Sequence, residues 1–145
     1  MALTIEPGSI DHLSQVIGHV VAPAFLLGAV ASFISVLTTR MSGVVDRIRS
    51  INDVPDEGHP KSRLKADLPR LRRRAALLHR AIFLAINSGI VAAILIIAAF
   101  AFALAGRSHA WTAAILFIFS LGLLCASLVV FALEVKIGLD EHDHY

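Results

Sequence analysis

Residues 81–105, AIFLAINSGIVAAILIIAAFAFALA, decide the fold. The stretch contains no Asp, Glu, Lys or Arg, and it exceeds the roughly 20 residues a helix needs to cross a hydrocarbon core about 30 Å thick. Working outward, 17–37 (IGHVVAPAFLLGAVASFISVL) and 111–133 (WTAAILFIFSLGLLCASLVVFAL) are uncharged in the same sense. A buried helix of a soluble domain rarely stays uncharged for so long. The hydrophobic content of 57% and mean hydropathy of +0.75 agree with lipid as the solvent, because ordinary usage is roughly 45–50% apolar. The sequence predicts an all-α membrane protein of one domain, with transmembrane helices at 17–37, 81–105 and 111–133.

Residues 1–16 hold Glu6, Asp11 and His12 but no Lys or Arg. The positive start of a cleavable signal is missing, so the first apolar segment is expected to remain as a helix. Of the 13 Lys and Arg residues, 11 lie between positions 38 and 80; Arg107 and Lys136 are the others. Basic residues flanking short connections stay on the cytoplasmic side. The expected topology has the amino terminus outside, 38–80 in the cytoplasm, 106–110 outside and the tail 134–145 inside. Trp111 then suits an outer-interface anchor. The single Cys125 lies in the third span and has no intrachain partner for a disulfide.

The basic connection has a helical pattern. Met41, Val44, Val45, Ile48 and Ile51 fall on one side of a helix continuing from the first span. Segment 52–60, NDVPDEGHP, reads as a turn. On the return, Leu64, Leu68, Leu71, Ala75, Leu78 and Ile82 form a coiled-coil-like seam leading into the second span. Pro69 interrupts that seam and predicts either a kink or a fresh helix start, with Asp67 as N-cap and Pro69 in the first turn. The two stripes are expected to bury each other as an antiparallel cytoplasmic hairpin.

Segment 61–80 carries eight basic residues against Asp67 alone. Arg70, Arg72, Arg73, Arg74 and Arg80 are the candidates for contact with anionic lipid headgroups, at roughly 1 kcal/mol each near the surface. Orientation and solubility alone would also account for them. A nucleic-acid partner is not expected, because aromatic interleaving and a binding motif are both missing.

Polar residues inside the spans supply the remaining candidates. Pro23 has no N–H, so the His19 carbonyl loses its helical donor; the pair predicts a mild kink or an intramembrane polar site. Arg40, Arg80 and Glu134 mark one edge of the three spans. Seven residues further in, at a depth of roughly 10 Å, come Phe33, Asn87 and Ser127, with Ser32, Ser35 and Ser88 nearby. This polar layer reads either as hydrogen bonding between helices or as the lining of a pore in an oligomer. Ala24, Gly28 and Ser32, like Gly122 and Ala126, repeat at four residues and permit close helix packing. Glu134 is expected to pair with Arg40 or Arg80 as a latch at the inner boundary. Glu141, His142, Asp143 and His144 have ligand chemistry suited to a divalent metal, yet a short terminal run without apolar anchors reads first as a solvated end. Asp46, Arg47 and Arg49 need no more than helix-surface pairing.

Catalysis finds no support. Cys125 lies among apolar residues that suppress a thiolate. No metalloprotease spacing or glycine-rich phosphate loop occurs. An enzyme is not expected, and no cofactor is implied.

The stretch from His19 through APAFLLGAVASFISVLTTRMSGVVDRIRSI, followed by LRRRAALLHRAIFLAINSG, resembles a bacterial family of small membrane proteins known only as a domain of unknown function. The elements carrying the likeness are Pro23, Thr39–Arg40, the Val-Asp-Arg-x-Arg segment ending at Arg49, and Arg80-Ala81-Ile82. It covers roughly residues 15–133, and the insert at 53–60 and the His-rich tail fall outside it. The resemblance implies three spans in a bacterial inner membrane and supplies no activity. Three helices enclose too little for a transport path in one protomer. The expectation is therefore a homo-oligomer forming a channel-like pore for ions or small solutes. The alternative is a non-conducting scaffold or regulator whose basic hairpin binds anionic lipid or a partner protein.

Overall fold

The computed structural model describes residues 7–54, 65–108 and 110–142, and these are almost entirely helical. The chain forms α1 (Pro7–Asn52), α2 (Leu68–Leu104) and α3 (Ala110–His142). All three are long and apolar enough to cross a membrane, which makes this a multi-pass membrane protein. At 1.5 Å per residue, α1 is roughly 69 Å long, about twice the hydrocarbon thickness. One end of the molecule is therefore a stalk of α1 and α2; the other is the short α2–α3 connection.

α1 runs through Pro23 without interruption. In hydrocarbon, a broken helix would expose several backbone groups with no water to satisfy them, whereas the proline removes only one bond. At α2 the structure takes the fresh start rather than the kink. Asp67 occupies the N-cap position and Pro69 lies in the first turn, although the Asp67 side chain makes no capping hydrogen bond. The α2–α3 connection ends α2 in a Schellman motif. Gly106 adopts φ +65°; its N–H donates to the Ala103 carbonyl at 3.2 Å, and that of Arg107 to Phe102 at 3.0 Å.

Buried positions recur every seven residues. On α1 they are Val30, Leu37, Val44 and Ile51; on α2, Leu71, Leu78, Ala85 and Ala92 form one line and Ala81, Ser88 and Leu95 a second. Seven-residue spacing keeps one seam facing a partner over many turns. The stalk seam behaves as a soluble coiled coil: Val44 and Ile51 meet Leu71 and Leu78, flanked by Met41, Ile48, Leu68, Ala75 and Ile82. Leu64 lies outside the described residues. Within the spans the α2 side of the seam changes to Ala81, Ala85, Ser88 and Ala92, because lipid gives no hydrophobic drive and close approach takes its place. At Gly89 a Cβ would stand 3.3 Å from Val30 Cγ1, so α1 and α2 nearly touch there.

α2 lies between its neighbours, packing extensively on both, while α1 and α3 barely meet. The most apolar 18 residues of α3 are only 11% buried. Ile115, Ile118, Phe119 and Val129 are among its exposed side chains, and Phe83, Ile90 and Ile97 play that part on α2. These faces belong to lipid or to other copies.

α3 does not stop where its apolar run stops. The helix continues from Glu134 to His142, through most of the segment 134–145 that reads in the sequence as a short tail. Glu134 is fully buried, and Ile137 and Asp140 line a shallow groove with Pro69, Arg70 and Arg73 at the start of α2. Contact with α2 thus holds the extra turns. The side chains of Glu141 and His142, and residues 143–145, lie outside the described region, so the candidate metal run does too.

Candidate functional site

Three groups of polar side chains stand out. The first closes the membrane region at the stalk end, where α1 and α3 are linked by long side chains rather than by backbone proximity. Arg40 grips the Glu134 carboxylate with two nitrogens, Nε donating to Oε2 at 3.1 Å and Nη2 to Oε1 at 3.3 Å. Arg74 Nε donates to Oε1 from the α2 side at 2.9 Å. The Arg40 guanidinium also lies over the Phe131 ring, 5.4 Å from its centroid, and Phe131 meets Phe33 edge-on at 5.5 Å. Cation–π and charge-assisted hydrogen bonding thus hold one arginine from two sides. One buried carboxylate ties all three helices together.

The sequence offered Arg40 or Arg80 as partners for Glu134. Arg40 takes the role, and the second partner is Arg74 rather than Arg80. Arg80 matches Glu134 in depth but is two residues from Leu78, about 200° around the helix, and therefore points outward. Arg74 is three residues from Leu71, beside the seam, and its long stem carries its head to Glu134. Of the arginines read as lipid contacts, Arg74 thus has its guanidinium on Glu134. Arg70, Arg72, Arg73 and Arg80 are exposed. Gly138 helps, because a Cβ there would lie 3.2 Å from Arg74 Nη2.

The second group joins α2 to α3 by hydroxyls. Ser88 Oγ donates to the Ser120 carbonyl at 2.7 Å, and Ser120 Oγ donates back to the Ser88 carbonyl at 2.8 Å. Ser127 Oγ donates to the Ala81 carbonyl at 2.6 Å. All three serines are fully buried. Ser88 and Ser127 therefore act as helix–helix bonds and face no aqueous path. Ser120 was missed. Its signal was spacing: Ser120, Ser127 and Glu134 are seven apart, the buried line of α3, and that line is wholly polar. Asn87 donates to the Phe83 carbonyl of its own helix at 2.8 Å.

Ser32 and Ser35 belong to a different surface. Ala24, Gly28, Ala31, Ser32, Ser35, Thr38, Thr39, Ser42 and Gly43 are all exposed, on the side of α1 turned away from α2 and α3. Nothing lies within 4 Å of a Cβ placed at Gly28 or Gly43. Thr38 and Thr39 return their hydroxyls to the Ser35 carbonyl at 3.0 and 2.9 Å, which lets the face lie in an apolar medium. Below it, Asp46 and Arg49 continue the same exposed side.

The third group lines a cleft of about 510 Å³ at the connection end, where α1 and α3 separate above α2. His12, Gln15 and His19 from α1, Arg107 from the connection and Thr112 from α3 supply its polar rim. Pro23 forms part of the wall beside His19, and Leu95, Ala98, Phe102 and Phe117 form the floor. His19 is thus distant from the serine layer at the stalk end. Among the described residues, no cluster of three or more His, Cys, Asp or Glu is placed to hold a metal. Cys125 is exposed on α3.

No curated protein and no solved structure shows a match to this chain. Residues 20–143 match the model of a family described as a protein of unknown function (DUF2721), and the chain belongs to that family.

Proposed function

We propose that this protein is a homo-oligomeric, channel-like protein of a bacterial inner membrane, with α1 facing the axis of the assembly. One observation carries the reading: between Ala24 and Gly43 the exposed residues of α1 are mostly small or hydroxyl-bearing, with Phe25 and Val36 as the large apolar exceptions. The outer faces of α2 and α3 carry more large apolar side chains, such as Phe83, Ile90, Ile97, Ile115, Ile118 and Phe119. Two kinds of outer surface call for two kinds of neighbour. Ile, Leu and Phe suit lipid; Gly, Ala, Ser and Thr suit either close helix contact or water. Small ions or polar solutes are the cargo class, because hydroxyls offer dipoles without a fixed charge. The concentration of basic residues between 38 and 80 supports placing the stalk in the cytoplasm and the amino terminus outside.

The test is solute or ion flux through the purified oligomer in vesicles. Ser35→Phe should suppress flux, whereas Ile118→Phe on the outer face of α3 should leave it intact. Flux that survives Ser35→Phe, or its absence from well-reconstituted oligomers, would refute the reading.

A second reading has its own support. Arg72, Arg73, His79 and Arg80 are exposed on one side of α2, immediately before the apolar run of Phe83, Ile86 and Ile90. A basic face merging into an apolar one suits an anionic membrane surface. On this reading the protein is a non-conducting scaffold or regulator. Vesicle flotation of the full chain's stalk-charge variants would not separate the two, but flux would.

A further inference from the structure

The cleft between α1 and α3 has the form of a lipid site. We propose that it holds one acyl chain of an anionic phospholipid from the leaflet at the connection end, with the headgroup phosphate at Arg107. Its volume of about 510 Å³ lies within the roughly 300–1,000 Å³ of ordinary small-molecule sites. The lining divides by depth. Measured along α1 from Arg40, His19 is roughly 31 Å away and His12 roughly 42 Å, which puts them at and beyond the far edge of a hydrocarbon core about 30 Å thick. Trp111, 84% exposed, marks the same level on α3. Measured along α2 from Arg80, Leu95 and Phe102 are roughly 22 and 33 Å away. Leu95 and Ala98 of the floor therefore lie in the outer part of the hydrocarbon layer, while Phe102 comes level with His19, near headgroup height.

Charge selects the occupant. Among the described residues, none lining the cleft is acidic, and Arg107 is a fixed cation there. Gln15, Thr112 and the imidazoles of His12 and His19 add hydrogen-bonding groups around it. A cationic or zwitterionic headgroup gains less here than a phosphodiester with net negative charge. The floor is apolar and the cleft about 510 Å³ in all, which suits one acyl chain. The site is distinct from the hydroxyl face of α1, because His12, His19 and Pro23 lie on the side turned toward α3.

Photo-crosslinking tests the assignment with the full chain in vesicles of phosphatidylcholine containing a trace of phosphatidylglycerol with a diazirine in its acyl chain. Adducts should map to Leu95, Ala98, Ala99 and Phe102 and to Ala113, Ala114 and Phe117. Unlabelled phosphatidylglycerol should suppress them, and extra phosphatidylcholine should not. Arg107→Gln should reduce adducts at these positions by about tenfold, the usual worth of one charge-assisted contact, while Arg107→Lys retains most of them. Ala98→Phe should abolish them by filling the floor. Adducts confined to outward residues such as Ile94 and Ile118, or equal suppression by the two lipids, would overturn the proposal. So would loss of adducts on adding inorganic phosphate alone, which would make the ligand a soluble anion.

Discussion

Glu134→Ala should be the most damaging single substitution in this protein, and its cost can be worked from the geometry. The carboxylate is fully buried and receives bonds from two arginines whose side chains are 36% and 14% exposed. Removing it deprives two neighbouring guanidiniums of the carboxylate they share. Breaking a buried ion pair from one side typically costs about 3–5 kcal/mol; the access of Arg40 to water places this case near the lower end, at about 3 kcal/mol. The pair's net contribution is much smaller than that loss, since desolvation of the charges opposes their attraction. Arg40→Met combined with Glu134→Leu should therefore be less destabilising than Glu134→Leu alone. The assay is reversible unfolding in mixed micelles, followed by helix content, across a double-mutant cycle for Arg40 and Glu134. Arg74→Met in the Glu134→Leu background forms the second arm. The reasoning fails if Glu134→Ala shifts stability by less than about 0.5 kcal/mol, the scale of an ordinary surface change. It fails equally if the Arg40 and Glu134 effects simply add, because contacting residues should couple.

The serine pair should lose roughly 0.6–2 kcal/mol on Ser88→Ala or Ser120→Ala, and the double variant should cost less than the sum, read in the same unfolding assay. Leu78→Ala, at a fully buried stalk position, should cost about 2–5 kcal/mol; protease sensitivity of the stalk should rise with it. Gly106→Ala forces φ +65° on a side chain and should cost about 1 kcal/mol without altering flux. Gly138→Val should reproduce part of the Glu134 phenotype, because the added side chain displaces the Arg74 guanidinium.

The apolar runs made the three helices legible, and the stalk seam followed from ordinary periodicity in Val44, Ile51, Leu71 and Leu78. α3 resisted that method for a physical reason. Its inward line is Ser120, Ser127 and Glu134, while its outward side is Ile115, Ile118 and Phe119. Searching for an apolar stripe in a lipid-exposed helix finds the wrong face. Depth matching brought Arg40 and Glu134 to one level, but depth says nothing about rotation, so Arg80 and Arg74 were interchanged. The extension of α3 to His142 was hidden because its stabilising contacts, Glu134 and Ile137 against the start of α2, are made across 60 or more residues of sequence. The cleft could not be read at all, since it arises from the separation of two helices that barely touch.

The central claim is that the hydroxyl face of α1 meets water inside an assembly. Single cysteines at Ser32 and Ser35, in a Cys125→Ser background, can be challenged with a charged, membrane-impermeant thiol reagent in reconstituted vesicles, beside a cysteine at Ile118. The account predicts rapid modification at 32 and 35 and protection at 118. Protection at all three positions would contradict it.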